Sequence, residues 1–412
     1  MKLSTGRKYF LVFLLAFMFS VAYLLPYIKY VFNDALVQGL GITNKQAGLL
    51  LTVYSIMNTV TLIPGGIMSD KYKTKNIIVI SALGTGFCNF MLAMFMNYTV
   101  AVVVWGLLGF TTIFAFWGSV IKAVRLLGDE DEQGRLYGFY AGFQGLVNTV
   151  VAILASFVFA RFVNQTAGLK GILFLYGSLN IIGAILFWFL FPSELDSNES
   201  SNDDPVKVSD IFVVLKMPET WLLSLIIFSI YGVFSGSTFM TSYVSDVLLI
   251  TGTVSTMIAI FRTYLARAIF SPVGGIVADK TKKPVQNILV SSLITAALLL
   301  VLPLFGAKLG NVAILIIILT SSITIYMNFG VMWATSSELK IPRKLYGTVI
   351  GVASIIGYTP DLFMHTLFGG WLDKLGTQGY QNIFMFLIFL CFIGVLTSTV
   401  ILRRAKSLKS AQ

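Results

Sequence analysis

The sequence has few charged residues for its length. Asp, Glu, Lys and Arg make up 11% of its 412 residues, and 57% are hydrophobic. Because about a quarter of the residues in a soluble globular domain are charged, this composition excludes a soluble fold. It indicates instead a chain whose surface faces a lipid bilayer.

Cysteine and histidine, two residue types that often carry catalysis or bind metals, are almost absent. The two cysteines, Cys88 and Cys391, both lie within long apolar runs, where a thiol usually behaves as a small apolar side chain. One histidine and two such thiols provide neither a disulfide framework nor a metal cluster, and the sequence has no phosphate-cradling loop. We therefore expect no enzyme activity, no cofactor and no bound metal ion.

Long apolar runs, in contrast, are abundant. A helix needs roughly 20 residues to cross about 30 Å of hydrocarbon, and apolar runs of that length can be placed twelve times, at 9–32, 45–69, 76–96, 99–121, 134–160, 170–192, 219–244, 253–278, 285–305, 311–336, 345–370 and 380–401. Residues 194–210 are acidic and rich in Ser and Asn, which is typical of a mobile linker. We predict an all-α integral membrane protein with a six-helix bundle over 1–193, a cytoplasmic linker over 194–218 and a second six-helix bundle over 219–412.

The basic residues are distributed unevenly between the two sides of the predicted membrane. If the N-terminus lies in the cytoplasm, 21 of the 29 lysines and arginines fall in cytoplasmic segments, and the outer loops hold only Lys45, Arg161, Lys170, Lys308 and Lys374. Positively charged loops remain cytoplasmic, so both termini are predicted on that side of a cytoplasmic (inner) membrane, which the chain crosses many times. The same asymmetry explains the formal net charge of +11, so we expect no nucleic-acid partner.

Two segments of the sequence occur twice at the same spacing. GGIMSDKYKTK at 65–75 returns as GGIVADKTKKP at 274–284, and RLYGFYAG at 135–142 returns as KLYGTVIG at 344–351; both copies are displaced by 209 residues. Two matches at one offset, close to half the chain length, indicate an internal duplication. We therefore expect the two six-helix bundles to be pseudo-symmetric.

With these duplicated six-helix halves, the chain resembles the major facilitator superfamily of secondary transporters along its whole length. The superfamily signature between the second and third helices, G-x-x-x-D-[RK]-x-x-x-[RK], matches Gly66, Asp70, Lys71 and Lys75, and the second copy departs from it at Pro284. The start of the eleventh helix and Arg125 are alternative partners for Asp70. The resemblance implies a gating role, without substrate contact, for Gly66, Asp70, Lys71, Arg125, Gly275, Asp279 and Lys280.

Within the superfamily, residues 116–138 are similar to the organophosphate and organic-anion branch, which includes sugar-phosphate permeases. That branch has a Trp, a basic residue five positions later and a Gly twelve further on, matched here by Trp117, Lys122 and Gly134. The arginine on the first helix of that branch is replaced here by Tyr27, and the seventh helix lacks the second arginine. The resemblance therefore implies an anionic substrate, but not a symmetric arginine pair.

Five ionisable side chains are expected inside the membrane spans: Lys29, Arg262, Arg267, Asp361 and His365. Such groups are costly in a bilayer and mark functional sites by default. At 1.5 Å per helical residue, Lys29, Arg262 and Asp361 lie at about the same height. Two interpretations are open: an anion clamp in which Asp361 serves as a proton or counter-ion site, or an ion-pair network that only holds helices together.

Helical spacing assigns these groups further roles. Arg262 and Arg267 are five residues apart, about 140° around an α-helix, so we expect Arg262 to be the ligand and Arg267 a structural partner. Asp361 and His365 are four residues apart and share a face. Because the unperturbed pKa of histidine lies near neutrality, this pair is either the proton-coupling site or a structural hydrogen bond. Polar and aromatic stripes complete the predicted substrate-binding set: Lys29, Arg262, Tyr27, Tyr30, Tyr231, Gln144, Asn148 and Tyr358.

These observations favour a monomeric transporter that moves a small organic anion across the membrane by alternating access. The expected substrate is a sugar acid, a sugar phosphate or a carboxylate metabolite, coupled to protons or to a counter-transported anion. A carrier of peptides or other zwitterions is the first alternative, since it would use both Arg262 and Asp361. The second is a non-transporting membrane sensor built on the same fold.

Overall fold

The computed structural model describes residues 4–127, 133–192, 208–250, 252–339, 341 and 345–410. Helix is the regular structure of these residues, and nine helical stretches among them are long and apolar enough to cross a membrane. One of the nine, Thr348–Arg404, is long enough for two crossings, and the 3-10 helix Gly376–Gln378 separates its helices Pro360–Leu375 and Gly379–Ser410.

The helices of the described residues form twelve segments, which confirms the predicted all-α twelve-helix fold. They are segment 1, Thr5–Tyr23 with Lys29–Leu40; segment 2, Asn44–Lys71; segment 3, Thr74–Met94; segment 4, Tyr98–Gly109 with Phe110–Phe114 and Phe116–Arg125; segment 5, Gln133–Ala160; segment 6, Gln165–Leu190; segment 7, Pro218–Gly236 with Phe239–Asp246; segment 8, Gly252–Ile260 with Phe261–Leu265 and Ala266–Thr281; segment 9, Pro284–Phe305; segment 10, Asn311–Val331 with Met332–Leu339; segment 11, Tyr346–Gly357 with Pro360–Leu375; and segment 12, Gly379–Ser410. A short helix, Val208–Leu215, precedes segment 7.

Local sequence signals fix several segment ends. Gly41 ends segment 1 in the left-handed conformation (φ 64°), which glycine adopts without a steric penalty. Segment 2 then begins at a capping box, in which the Thr43 hydroxyl accepts from the Gln46 backbone N–H and the Gln46 side chain accepts from the Thr43 N–H. The side chains of Asn97 and Asn164 cap segments 4 and 6 in the same way, each accepting one N–H of the first turn.

The chain divides into two compact units, one of Met1–Asn202 with Gly252–Leu265 and one of Asp203–Thr251 with Ala266–Gln412. We call them unit 1 and unit 2. Unit 1 thus takes the first half of segment 8, which packs against segments 1 and 5. The predicted bundle limits of 1–193 and 219–412, with the linker 194–218, remain a prediction.

Equivalent features occur in both units at the offset of the sequence repeat. Segment 1 is interrupted at 24–28, and segment 7 is interrupted at 237–238, which overlaps at residue 237 the range 233–237 that a shift of 209 predicts. Gly65 lies directly against the backbone of Phe114 in segment 4, and its repeat partner Gly274 lies directly against the backbone of Met327 in segment 10. The duplication is therefore visible in helix packing as well as in sequence.

The interruption in segment 1 is satisfied by polar side chains from neighbouring segments. Pro26 has no N–H, so the helical hydrogen-bond pattern cannot continue through it. The Asn180 amide donates to the Val21 carbonyl (3.0 Å), and the indole N–H of the fully buried Trp105 donates to the Pro26 carbonyl (3.2 Å). Backbone N–H and C=O groups that lose their helical partners inside a membrane must form hydrogen bonds with other groups. The break leaves the half-buried Tyr27 between two helices, and the buried Lys29 and Tyr30 begin the second of them.

Candidate functional site

A buried carboxylate in unit 2 is held by two hydroxyl groups. Asp361 is in the first turn of the helix Pro360–Leu375, where the helix dipole favours a negative charge. The Tyr231 hydroxyl donates to its Oδ2 and the Ser235 hydroxyl to its Oδ1, each at 2.5 Å. Both donors come from segment 7 and are one helical turn apart, so they reach the carboxylate from the same face. Asp361 is 5% exposed.

The single histidine extends this cluster. His365 Nε2 lies 2.8 Å from the Ser235 hydroxyl oxygen and 3.5 Å from Asp361 Oδ1, and the ring stacks on Phe239 with centroids 5.8 Å apart. The Ser235 hydroxyl has one proton, which it donates to Asp361. Nε2 must therefore carry a proton and donate to Ser235. The result is a hydrogen-bonded line from His365 through Ser235 to Asp361.

Aromatic side chains lie beside the carboxylate cluster. The rings of Tyr231 and Tyr358 meet edge to face at 4.4 Å, and Trp333 contacts Tyr358 with a centroid distance of 6.4 Å. Tyr358 is 37% exposed, and its phenolic O–H can donate a hydrogen bond.

Arg267 lies over two rings of the same unit. Its guanidinium carbon is 4.7 Å from the centre of Phe329 and 5.3 Å from the centre of Phe234. Such contacts contribute about 0.5–1 kcal/mol each at exposed sites, whereas an arginine at the centre of a bilayer costs about 2.5–3.5 kcal/mol or more. The side chain is exposed, and contacts with two rings would not offset the free-energy cost of exposing it to lipid. Arg267 must face water or a ligand.

In unit 1, tyrosines form a continuous aromatic row along segment 1. Tyr23 stacks on Tyr27 (6.3 Å between centroids), and Tyr27 contacts both Tyr30 (5.0 Å) and Tyr54 of segment 2 (5.6 Å). The Tyr23 hydroxyl donates to the Thr112 carbonyl at 2.9 Å, and the Tyr54 hydroxyl lies 2.8 Å from the Thr112 hydroxyl. Thr112 belongs to the π-helix Phe110–Phe114. Such π-helical turns occur frequently at functional sites.

The two predicted cationic ligands, Lys29 and Arg262, are both buried in unit 1. Lys29 is 5% exposed, at the start of the helix that follows the break in segment 1. Arg262 is 1% exposed, within the second π-helix, Phe261–Leu265, and its Nη2 donates to the Thr263 hydroxyl at 3.4 Å. That π-helix packs against segment 5. Both cations are thus inside the protein and not on its lipid surface.

The structure brings together some of the predicted residues and leaves others apart. Tyr231, Tyr358, Asp361 and His365 form one cluster in unit 2, and Tyr27 contacts Tyr30 in unit 1. Gln144 and Asn148 are half-buried on segment 5, and the backbone carbonyl of Gln144 accepts from the Ser20 hydroxyl at 3.4 Å. The predicted substrate-binding set omitted four further residues of the unit 2 cluster: Ser235, Phe234, Phe329 and Trp333. Ser235 follows Tyr231 by four residues, and this helical spacing is a sequence signal for it.

The repeated signature segments lie at the ends of segments 2 and 8. Of the neighbouring glycines in the second copy, Gly274 contacts the backbone of segment 10, and Gly275 has open space around it. Lys280 is exposed at the end of segment 8. The side chains of the other predicted gating residues lie outside the described part of the structure: Gly66, Asp70, Lys71, Arg125 and Asp279.

Comparison with known proteins places this arrangement in a family. Residues 9–360 match the family model described as Major Facilitator Superfamily. Two inner membrane proteins of Escherichia coli K12 are similar: YqcE, 28% identical over 393 residues (93% of this chain and 92% of that protein), and YihN, 29% identical over 411 residues (98% of each). A solved bacterial homologue of the human lysosomal transporter Spinster, inward-facing and unoccupied, aligns with a TM-score of 0.74 and 12% identity over 97% of this chain and 98% of its own. At that identity the likeness concerns the fold.

Proposed function

The chain belongs to the Major Facilitator Superfamily of membrane transporters, and from this premise we propose that it moves a small organic anion by secondary active transport. The proposed substrate is a sugar acid, a sugar phosphate or a carboxylate metabolite. Transport proceeds by alternating access, in which the site opens to each side of the membrane in turn. The protein acts as a monomer in the cytoplasmic membrane, with both termini in the cytoplasm.

The observation that carries the anion assignment is the balance of charge inside the segments. Among the described residues, three cations lie about 15 Å or more from both ends of their segments, Lys29, Arg262 and Arg267. One carboxylate, Asp361, lies as deep, and it already receives O–H donors from Tyr231 and Ser235. Buried charge in a membrane is retained where it serves a substrate or ion path. An excess of cations supports a negatively charged substrate.

Protons are the coupling ion that the cluster in unit 2 supports best. The line from His365 through Ser235 to Asp361 joins two titratable groups through one hydroxyl, which supports proton exchange between them. A proton on Asp361 would remove the negative charge from the unit that holds Arg267, and loss of that proton would restore it. Exchange for a second anion is the alternative, which would leave this cluster as a structural element.

A carrier of zwitterions is a second candidate, favoured by the two opposite charges in unit 2. Tyr231 donates to Asp361 and its ring contacts Phe234, which lies against Arg267, so a carboxylate and an ammonium group of one small molecule could reach both charges. A non-transporting sensor on the same fold would bind ligand without moving it. The experiment below separates these functions.

The test uses purified protein, first in a thermal-shift screen and then in lipid vesicles that contain no other protein. A ligand at 100 times its dissociation constant stabilises the protein by about 2.7 kcal/mol. We expect organic anions, and not neutral sugars or dipeptides, to stabilise it and to enter the vesicles. Stabilisation by dipeptides would favour the zwitterion carrier, and binding without uptake would favour the sensor. Arg262→Gln should lose anion binding while keeping the unfolding temperature of the unliganded protein.

A further inference from the structure

Arg267 and Arg262 differ in environment although they are close together on segment 8. Arg262 is 1% exposed and lies in the π-helix Phe261–Leu265. Arg267 follows in the regular helix Ala266–Thr281, about 21 Å from either end of the segment, and its side chain is exposed. An exposed guanidinium at mid-depth of a membrane faces an aqueous space and not lipid.

The aromatic contacts of Arg267 orient the guanidinium and leave its donors free. Phe329 and Phe234 meet the guanidinium by their ring faces. Because the group is planar, its five N–H donors point outward in its own plane, where they match the two oxygens of a carboxylate or phosphate. Among the described residues, no carboxylate lies within 4 Å of Arg267, and its contacts are with the two rings.

A second donor belongs to the same group of aromatic side chains. Tyr358 is partly exposed and contacts Tyr231 at 4.4 Å between centroids, and Tyr231 contacts Phe234 at 5.8 Å. Phe234 in turn lies 5.3 Å from the guanidinium carbon of Arg267. One set of aromatic rings in unit 2 therefore holds both a guanidinium and a phenolic O–H, which can donate a hydrogen bond.

We propose that Arg267 and Tyr358 form an oxyanion receptor in unit 2, which binds the carboxylate or phosphate group of the transported molecule. This proposal rests on the proposed function, because it names the residues that bind the negatively charged group of the transported organic anion. The aromatic side chains Trp333 and Tyr231 then border the uncharged part of the substrate. Arg267 is thereby a binding residue and not, as helical spacing suggested, a structural partner.

The experiment measures binding of D-gluconate, glycerol 3-phosphate and the uncharged sorbitol to four purified proteins: wild type, Arg267→Gln, Arg267→Lys and Arg404→Gln. Arg404, near the end of segment 12, is a matched arginine control. It pairs with Glu219 and is far in sequence from the receptor. A lost charged hydrogen bond weakens binding about 10- to 150-fold. We expect Arg267→Gln to weaken anion binding by at least about tenfold and Arg404→Gln to leave it unchanged. Arg267→Lys keeps the charge and loses the fork, so it should also bind more weakly.

Tyr358→Phe provides a milder variant that preserves the packing of the ring. Loss of a neutral hydrogen bond should weaken binding about two- to tenfold, and the ratio between gluconate and glycerol 3-phosphate shows which oxyanion the receptor prefers. Unchanged anion affinity in Arg267→Gln would overturn the receptor but not the proposed anion transport. If Arg267→Gln does not fold, unchanged affinity in Arg267→Lys would have the same consequence. If wild type binds neither anion, the proposed function and the receptor both fall.

Discussion

Two adjacent glycines of the repeated signature should respond in opposite ways to the same substitution. A Cβ at Gly274 would collide with the backbone of Met327, which cannot move aside as a flexible side chain can, whereas a Cβ at Gly275 meets nothing within 4 Å. Alanine favours a helix over glycine by about 1 kcal/mol at either position. Overpacking costs about 1–3 kcal/mol, and it applies to Gly274→Ala alone. The two variants should therefore differ in stability by about 1–3 kcal/mol.

Thermal unfolding of the purified variants in one detergent measures this difference, and Gly275→Ala serves as the matched control. We expect Gly274→Ala to unfold at a lower temperature than wild type, and Gly275→Ala at the same or a slightly higher temperature. Gly65→Ala should behave like Gly274→Ala, because Gly65 lies against the backbone of Phe114 in the same way. Equal stability of the two segment 8 variants would refute the close approach of segments 8 and 10.

Three further predictions concern transport. Asp361→Asn should retain exchange of substrate across vesicles but lose accumulation driven by a pH gradient; full accumulation would exclude Asp361 as the coupling site. Tyr231→Phe removes an O–H donor from the Asp361 carboxylate, so uptake driven by a pH gradient should slow, and an unchanged rate would contradict the role of this bond. Asp70→Ala should slow turnover without changing affinity, as measured by uptake rates and equilibrium binding, and normal turnover would remove Asp70 from the gate.

Hydropathy and the internal repeat were sufficient to predict the twelve segments, since long apolar runs permit little else in a bilayer. They did not predict where segments are interrupted. The first run was predicted to end at residue 32, but its helix continues to Leu40, because polar side chains such as Asn33 are buried there by neighbouring segments. A hydropathy profile contains no information about such tertiary burial.

The same limit explains the outcome at the site. Spacing of four residues correctly placed Asp361 beside His365, because both belong to one regular helix. The angle of 140° between Arg262 and Arg267 assumed an unbroken α-helix, but the π-helix Phe261–Leu265 lies in this interval. A π-turn changes the rotation per residue, so the assumed angle does not describe the segment. Arg267 contacts Phe234 of segment 7 and Phe329 of segment 10. Contacts between segments that are distant in sequence become visible only in the packed structure.

Uptake of an organic anion by vesicles that contain only this protein tests the central claim most directly. The vesicles are loaded at one pH and diluted into another, and entry of labelled D-gluconate and glycerol 3-phosphate is followed beside that of sorbitol. We predict saturable uptake of at least one anion that depends on Arg262 and increases with an inward proton gradient. Uptake of sorbitol alone, or of neither anion at any gradient, would contradict anion transport by this protein.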